Sequence, residues 1–388
     1  MPSRFDTVPS RRQPGVVNRW TMFPPGYISV SMADMDFPVA PQIQKALHKQ
    51  IDHGVLGYDL MGKPMQEIIS ARVEKLYGWE VSPESIVYTA GVNNGYNIAA
   101  RLLCNSKRGY LIQTPVYNEF RDTEHKVGVP QLTAPLVKKV IGNRIRYEVD
   151  FDRFEKQVKK AGMFLLCNPH NPVGHIHPRN ELLEMAKICI KNDVIIVSDE
   201  IHCELLLGNS KFMPLAKLSK EIAQHTITLT SASKAYNVAG LACAFAIIPN
   251  EILRKRFDEI NLGMSFEVST PGLVAAHVAY SGRADAWLRG LNRYLTMNRD
   301  FVIEYIDKYF PGVKTTAPDA TYLMWLDFSE LNLKSSPYEF FLKHAKVVLS
   351  DGKNFGEGSG KFARLNIGTS RKILKQVLDR MRKALTSI

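Results

Sequence analysis

Side chains that could do chemistry follow five apolar segments of the sequence, each directly after the segment ends. The five polar stretches are AGVNNG, TPVYNEF, NPHNPVG, DEIH and SASK, which begin at residues 90, 114, 168, 199 and 231. They supply a carboxylate (Asp199), a lysine (Lys234), a tyrosine (Tyr117), hydroxyl groups and glycine turns. If the apolar segments are strands of one open α/β sheet, ligands bind beyond their carboxyl ends. The pattern therefore predicts a functional site at that edge of the sheet.

Lys234 has the chemistry of a nucleophilic amine. An ammonium group at the mouth of a sheet is partly desolvated, which disfavours its charged form and lowers its pKa. An amine of this kind can form a Schiff base with an aldehyde. Taken alone, the stretch SASK is more typical of a surface lysine in a serine-rich loop, so the interpretation depends on the neighbouring groups.

Two neighbouring groups at the same edge point to pyridoxal 5′-phosphate (PLP). Asp199 ends a buried strand, where an unpaired carboxylate is costly, and a protonated pyridine nitrogen would pair with it. The AGVNNG turn precedes a predicted helix, so its backbone N–H groups and the helix dipole form an anion site, although a simple strand–helix connection looks the same. Ser231 and Ser233 add hydroxyl donors. Together, the aldehyde-binding lysine, the pyridinium-pairing aspartate and the phosphate-binding turn predict PLP.

The elements that must position these groups follow from the pattern of apolar residues. The strand segments are apolar throughout rather than alternating, which indicates burial on both faces in a largely parallel sheet. Their alternation with helical patterns predicts an α/β sheet with helices on both sides. The predicted strands are 85–90, 109–113, 163–168, 194–200, 226–231 and 243–249, and the predicted helices between them are 93–104, 117–127, 179–191 and 211–223.

Three parts of the chain are expected from this pattern. Residues 49–284 would form a large PLP-binding domain, and residues 285–388 a smaller α+β domain with fewer, more separated strands. Residues 1–48 would form an N-terminal arm and part of the small domain. In the last part the predicted elements are a helix at 285–308, strands at 321–328, 346–352 and 362–368, and a terminal helix.

Composition excludes several other classes of protein. No apolar segment approaches the ~18 residues that span a bilayer, so we expect no membrane association. The net charge is +12, but the basic residues are dispersed rather than clustered on a recognition element, so we expect no nucleic-acid binding. The five cysteines are scattered without a C-x-x-C pair, and the N-terminus lacks an apolar signal core. We therefore expect neither disulfides nor a metal site, and a cytoplasmic location.

Several motifs carry a family resemblance. The stretches NPHNPVG, SDEIH and SASKAYNVAGL resemble the fold-type I PLP enzymes of the class I/II aminotransferase superfamily. FDTVPSRR, SMADMDFPVAPQIQKAL, DHGVLGYD, TPVYNEF and FARLNIG resemble the MalY/PatB group of cystathionine β-lyases, which are C–S lyases. The resemblance runs from end to end. It implies a fold-type I α/β architecture, PLP as cofactor, and a homodimer with active sites at the subunit interface.

The resemblance also implies a role for each matching residue. Lys234 would bind the PLP aldehyde and move the Cα proton, Asp199 would pair with the pyridine nitrogen, and Arg364 would bind the substrate carboxylate through its guanidinium fork. His202 would lie near the ring, with a core histidine as the alternative. The remaining implied cofactor contacts are Asn171 at the phenolic oxygen, Tyr117 on the ring face, Gly91, Val92, Asn93, Ser231 and Ser233 at the phosphate, and Tyr58 at the phosphate of a neighbouring subunit.

Two departures from the family pattern affect the expected reaction. Many aminotransferases carry a phosphate-binding arginine eight residues after the lysine, where this chain has Ala242. The lyase group also lacks that arginine, which favours a β-lyase that releases thiol, pyruvate and ammonia from cystathionine, cysteine or related S-conjugates. Asp59 replaces a usual threonine beside Tyr58. An aminotransferase, and a PLP-fold regulatory or binding protein with little turnover, are the alternatives.

Overall fold

A computed structural model of the chain describes residues 3–57, 62–264 and 268–387. The strands of the described part, numbered along the chain, are β1 (Ile28–Ser29), β2 (Ile86–Thr89), β3 (Gly109–Ile112), β4 (Gln131–Thr133), β5 (Val137–Ile141), β6 (Arg144–Glu148), β7 (Ala161–Cys167), β8 (Ile195–Asp199), β9 (Thr226–Thr230), β10 (Ala244–Ile247), β11 (Lys314–Thr315), β12 (Leu323–Asp327), β13 (Val347–Val348), β14 (Ser350–Asp351) and β15 (Phe362–Asn366).

The helices of the same residues are α1 (Pro41–His53), α2 (Lys63–Tyr77), α3 (Val92–Leu103), α4 (Asn118–Arg121), α5 (Thr123–Val127), α6 (Phe151–Val158), α7 (Arg179–Lys191), α8 (Lys220–Gln224), α9 (Ala232–Ala235), α10 (Glu251–Met264), α11 (Thr270–Tyr280), α12 (Asp285–Tyr309), α13 (Pro337–Ala345) and α14 (Arg371–Leu385). The helix predicted at 117–127 is divided into α4 and α5. The prediction at 211–223 is wrong for its first half, because a 3₁₀ turn at 215–218 precedes the short α8.

The larger sheet contains the six predicted strands and β4, which was not predicted, in the order β2-β10-β9-β8-β7-β3-β4. Strand β10 is antiparallel to both of its neighbours, and the pairs formed by β9, β8, β7, β3 and β4 are parallel. Neighbouring residues of β7 face opposite sides: Leu165 packs in a core with Tyr96 of α3, and Leu166 packs in another with Met185 of α7. The predicted largely parallel sheet between two helical layers is therefore confirmed.

A second sheet has the strand order β14-β15-β12-β11-β6-β5. Its hairpin β5–β6 was not predicted, because every residue of β5 is exposed and the segment VKKVI lacks a continuous apolar run. The hairpin comes from the middle of the chain and pairs with β11, next to the C-terminal strands. On this sheet the indole ring of Trp325 stacks on the ring of Phe362, with centroids 5.3 Å apart. The division at residues 49 and 285 stays a prediction.

The N-terminal arm runs alongside this second sheet. Strand β1 pairs in parallel with β13, and Val30 donates a backbone hydrogen bond to the carbonyl of Val348. The chain then passes through residues 31–37 toward the carboxyl end of the larger sheet before α1 begins. Among the described residues, no helix is both long enough and apolar enough to cross a bilayer.

Candidate active site

A cavity of about 270 Å³ lies beyond the carboxyl ends of the strands of the larger sheet. Its size is near the lower end of the range typical of small-molecule sites, about 300–1,000 Å³. Most wall groups lie at or after the end of a strand of the larger sheet, as the position of polar residues after strand ends predicts, and Ala33 of the arm completes the lining. The predicted residues that the structure brings together on the walls are Gly91, Val92, Asn93, Tyr117, Asn171, Asp199, His202, Ser233 and Lys234.

Lys234 reaches the cavity from the short helix α9, which starts directly after β9. Its Nζ donates a hydrogen bond to the backbone carbonyl of Ala33, at 2.8 Å. Desolvation by the surrounding protein lowers the pKa of Lys234, and the nearby Arg364 lowers it further, while Asp34 and Asp199 act in the opposite direction. The lowered pKa raises the share of neutral amine, which is the nucleophilic form.

Asp199 ends β8 and is buried on the cavity wall. Its Oδ1 accepts a hydrogen bond from the backbone N–H of Ile201, at 3.0 Å. Burial raises the pKa of Asp199 to about 7, against a smaller opposing effect of this hydrogen bond and of Lys234. The next residue, Glu200, is occupied elsewhere, because it accepts hydrogen bonds from Ser198 and from the backbone of Leu215. Asp199 is thus the carboxylate available to a cationic ring nitrogen.

Arg364 lies on β15 and connects the second sheet to the cavity wall. Its Nη1 donates to Oδ1 of Asn171 at 2.9 Å, and its Nη2 donates to the carbonyl of Ser31 at 2.8 Å and to Oγ of Ser350 at 3.1 Å. The guanidinium also lies over the ring of Phe355, 5.0 Å from the centroid. Within the described residues no carboxylate forms an ion pair with Arg364. A buried guanidinium of this kind favours an incoming carboxylate.

Desolvation lowers the pKa of Arg364 to about 10. The group therefore stays charged at neutral pH. Its neighbours on the cavity side are polar but uncharged, since Asn171 offers an amide and Ser350 a hydroxyl. A substrate carboxylate would add the negative charge that these contacts do not supply.

The N-terminus of α3 opens onto the cavity at Gly91, Val92 and Asn93. N–H groups in the first turn of a helix have no partner within the helix, and the helix dipole adds partial positive charge there. Tyr117 lies next to this turn. Burial raises the pKa of the Tyr117 hydroxyl, and a hydrogen bond with the Asn93 side chain opposes the shift. The geometry is that of an anion site with an aromatic ring beside it.

His202 is buried on the wall, and its ring lies edge-on to that of Tyr322, with centroids 6.0 Å apart. Burial lowers the pKa of His202 to about 3, and the positive charges of Lys234 and Arg364 act in the same direction. The imidazole is therefore neutral. Its position beside the cavity agrees with the prediction that it lies near the cofactor ring, and its role there stays a prediction.

Among the described residues, one predicted cofactor contact, Ser231, is not on the cavity wall. Ser231 caps α9: its Oγ accepts a hydrogen bond from the backbone N–H of Ser233 at 3.0 Å and donates to the carbonyl of Cys243 at 2.6 Å. Oγ of Ser231 is also 2.6 Å from Oγ of Ser233, so the two hydroxyls are hydrogen-bonded to each other. The predicted phosphate contacts of Ser231 and Ser233 stay predictions. The predicted contact of Tyr58 lies outside the described residues.

Residues 31–37 of the arm form part of the site. The sequence pattern did not predict this contribution. The carbonyl of Ala33 accepts hydrogen bonds from Lys234 and from the Tyr322 hydroxyl, each at 2.8 Å. The carbonyl of Ser31 is one of the three acceptors around Arg364. A backbone carbonyl has no residue-type signal, so only the motif SMADMDFP could have marked this loop.

Two asparagine side chains hold this loop in place. Asn237 accepts from the backbone N–H of Met35 at 3.1 Å and donates to the carbonyls of Met35 at 3.0 Å and Phe37 at 2.8 Å. Asn366 donates to the carbonyls of Met32 at 2.5 Å and Asp34 at 2.6 Å. Asn237 has a φ of 58°, a left-handed conformation that asparagine tolerates better than most residues.

Ion pairs reinforce the loop from its other side. The buried Arg19 pairs with Asp36 at 2.6 Å and with Asp34 at 3.2 Å, and Arg11 pairs with Asp34 at 2.7 Å. Burial alone would raise the pKa of Asp36, but Arg19 and hydrogen bonds bring it below its ordinary value. The loop is therefore preorganised, with Ala33 and Ser31 in fixed positions before any substrate binds.

Comparison with known proteins decides the family. The sequence model of the aminotransferase class I and II family matches residues 31–381. The chain belongs to this family. It is 33% identical over 359 residues to cystathionine beta-lyase PatB of Bacillus subtilis, covering 92% of each chain. It is 32% identical to cystathionine beta-lyase of Corynebacterium glutamicum, covering 95% of this chain and 96% of that relative.

Solved structures of the family agree with the fold. The PLP-bound C–S lyase from Staphylococcus hominis matches with a TM-score of 0.91 and 30% identity, covering 98% of each chain. The predicted fold class, a fold-type I α/β architecture, is thereby confirmed, as is the resemblance to the PatB group.

Proposed function

We propose that this family member is a PLP-dependent C–S β-lyase that releases thiol, pyruvate and ammonia from cystathionine, cysteine or related S-conjugates. The observation that carries the proposal is that Lys234 and Asp199 line one cavity whose wall residue Asn171 contacts Arg364. The names of the similar proteins, cystathionine beta-lyase and PLP-bound C–S lyase, support the same reaction.

The wall residues fit PLP. Asp199 is a buried carboxylate with a raised pKa, and a pyridinium would supply the positive charge that such a group needs. The first turn of α3 offers backbone N–H donors for a phosphate, and Ser233 lies on the same wall. Lys234 offers the amine for the aldehyde. When bound, PLP supplies an electron sink that stabilises negative charge at Cα of an amino acid.

The protein's own residues then have separate tasks. Arg364 binds the substrate carboxylate and so fixes Cα relative to Lys234. Lys234, as a free amine of lowered pKa, takes the proton from Cα. Asp199, once paired, keeps the pyridine nitrogen protonated, because its charge is stabilised only while that partner is cationic. The wall limits access of water to these groups, since Asp199, Asn171 and His202 are all buried.

We extend the proposal to assembly and location. The family resemblance of the segment DHGVLGYD supports a homodimer in which Tyr58 reaches the phosphate of the neighbouring subunit. The absence of a cysteine-pair pattern in the sequence supports a reducing, cytoplasmic location. Sedimentation of the purified protein at several concentrations would measure the first, and fractionation of its source cells the second.

The reaction is tested with purified protein and added PLP. We expect visible absorbance from a lysine-bound Schiff base, and pyruvate from cystathionine with no keto acid added. Lys234→Ala should lose both while its circular dichroism is retained, and the exposed Lys211→Ala is the matched control. Borohydride reduction followed by peptide mass spectrometry should locate the cofactor on Lys234. Strict dependence of turnover on a keto acid would mark an aminotransferase, and a protein that stays colourless with PLP would overturn the whole proposal.

A further inference from the structure

Two histidines and a glutamate lie together just after the NPHNPVG loop, outside the cavity walls. One ligand atom each from His175, His177 and Glu181 lies within 4.8 Å of the other two. Nδ1 of His177 is 2.9 Å from Oε2 of Glu181, and Nδ1 of His175 is 3.3 Å from Oδ2 of Asp319. We propose that His175, His177 and Glu181 bind one zinc ion, or another first-row divalent cation of similar preference.

The donor set suits that class of metal. Two imidazoles and one carboxylate, with a water in the fourth position, are a ligand set of zinc sites. At bond lengths of about 2.0–2.2 Å, two ligand atoms on a tetrahedral ion are about 3.4 Å apart, so small side-chain rotations bring all three into range. Asp319 would then orient the His175 ring through Nδ1, as carboxylates do behind metal-bound histidines.

The side chains of this group differ in how far they are exposed to solvent. The His177 side chain is 1% exposed, and its Nε2 has no hydrogen-bond partner among the residues that the structure describes. His175 and Asp319 are 19% and 31% exposed, so the group is accessible to solvent at these two side chains. The expectation that the chain has no metal site came from the pattern of its cysteines. The proposed site has no cysteine among its ligands.

The ion would join two segments directly, and a third through the contact between His175 and Asp319. His175 closes the loop that carries Asn171, since its carbonyl accepts from the backbone N–H of His170 at 2.7 Å. Glu181 lies in the first turn of α7. Asp319 precedes β12 of the second sheet and donates its backbone N–H to Gly174 at 2.8 Å. A bound cation would therefore clamp the loop holding Asn171 between helix and second sheet.

The same four side chains also form two hydrogen-bonded pairs without an ion, His177 with Glu181 and His175 with Asp319. These two pairs would account for the positions of the side chains without a metal. A zinc site and two hydrogen-bonded pairs differ in whether the protein binds added zinc. The inference does not depend on the lyase reaction, because none of these residues lies on the cavity wall.

The test uses the untagged, PLP-loaded protein after dialysis against a chelator. Calorimetric titration with Zn²⁺ should show one ion per chain, and Co²⁺ should give the strong visible bands of tetrahedral coordination. His175→Ala and Glu181→Gln should weaken zinc binding at least tenfold, and Asp319→Asn by roughly ten- to a hundredfold. At the same zinc concentration, zinc should raise the Tm of the wild type more than that of Glu181→Gln.

The control is His125→Ala, which removes an exposed histidine from α5 and should bind zinc as the wild type does. His177 is not a useful first target, because its removal from a buried position could unfold the protein. Circular dichroism of each variant shows that it is folded before titration. Absence of stoichiometric binding, or wild-type affinity in both His175→Ala and Glu181→Gln, would overturn the proposal and leave two hydrogen-bonded pairs.

Discussion

Nζ of Lys234 lies 2.8 Å from the backbone carbonyl oxygen of Ala33, 201 residues earlier in the chain. The same carbonyl also accepts the hydroxyl of Tyr322, which lies directly before β12 of the second sheet. The arm, the larger sheet and the segment before β12 therefore meet at one oxygen atom. The orientation of the amine depends on the arm as much as on the helix that carries it.

Removing the Asn237 side chain should displace this oxygen. Asn237→Gly keeps the left-handed backbone at that position and removes three hydrogen bonds to Met35 and Phe37, so it should destabilise the fold by about 2–3 kcal/mol. We expect kcat to fall more than KM rises, because the carbonyl that orients Lys234 is displaced, while Arg364 keeps its contacts with Asn171 and Ser350 outside the loop. Steady-state kinetics and chemical denaturation measure the two effects. Asn332→Gly, at an exposed loop position, is the control, and equal kinetics in both variants would contradict the prediction.

The substitution Arg364→Lys keeps the positive charge and removes the planar guanidinium group with its two parallel N–H donors. Because a lysine cannot bind a carboxylate through two parallel N–H groups, kcat/KM should fall roughly ten- to a hundredfold, mostly through KM. The loss should be smaller for substrates that lack the carboxylate. Kinetics with cystathionine would measure it, with the exposed Arg256→Lys alongside. An unchanged KM would show that another cation binds the substrate.

Asp199→Asn should weaken cofactor binding. An amide in place of the carboxylate loses a charge-assisted hydrogen bond to the pyridinium, a cost of about 1.5–3 kcal/mol, or roughly ten- to a hundredfold in the Kd for PLP. Spectroscopic titration of the cofactor-free protein measures that Kd. Glu200→Gln is a demanding control, because Glu200 is also buried but is held by Ser198 and Leu215 away from the cavity. Equal losses in both variants would argue against a specific role for Asp199.

His202 should make the protein less stable in acid. Its folded pKa is about 3 because of burial, while the unfolded chain takes up the proton near pH 6.5. The unfolded state thus binds more protons between these values, and stability is lost as pH falls through that window. Between pH 7 and pH 5 the loss is about 2 kcal/mol.

His202→Gln should lack this part of the acid loss. Free energies of unfolding at pH 7 and pH 5, from urea titrations of both cofactor-free proteins, give the difference directly. His170, whose pKa burial also lowers to about 3, contributes equally to both proteins and cancels. The exposed His48→Gln serves as the control. A variant that loses as much stability as the wild type would show that His202 is not held neutral in the folded state.

Much of the larger sheet and its site follows from the sequence because the signals are local. Strands that are apolar on both faces, such as β7, are visible as continuous runs, and helix α7 matches its predicted range of 179–191. Parallel strands then bring their carboxyl ends to one edge, which is why the order of strands and polar residues along the chain suffices to predict that Asp199 and Lys234 lie together.

The rest depends on contacts without a residue-type signal. Ala33 acts through its backbone, and Ser231 differs from Ser233 only in which neighbours its hydroxyl meets. The hairpin β5–β6 has exposed, charged residues and finds its partner β11 more than 160 residues later. Neither kind of relationship can be predicted from local patterning, because it is set by how distant segments pack.

That hairpin has a consequence for the order in which the protein is made. The larger sheet is complete once residue 247 has been synthesised, but residues 137–148 must wait for β11 and then for β12 and β15, which ends at Asn366. A nascent chain that stops at residue 350 would already carry Lys234 and Asp199 but not Arg364. Only when the last strand leaves the ribosome does the growing polypeptide acquire the cation proposed to bind the substrate carboxylate, so the proposed reactive amine is synthesised before the proposed substrate-binding group.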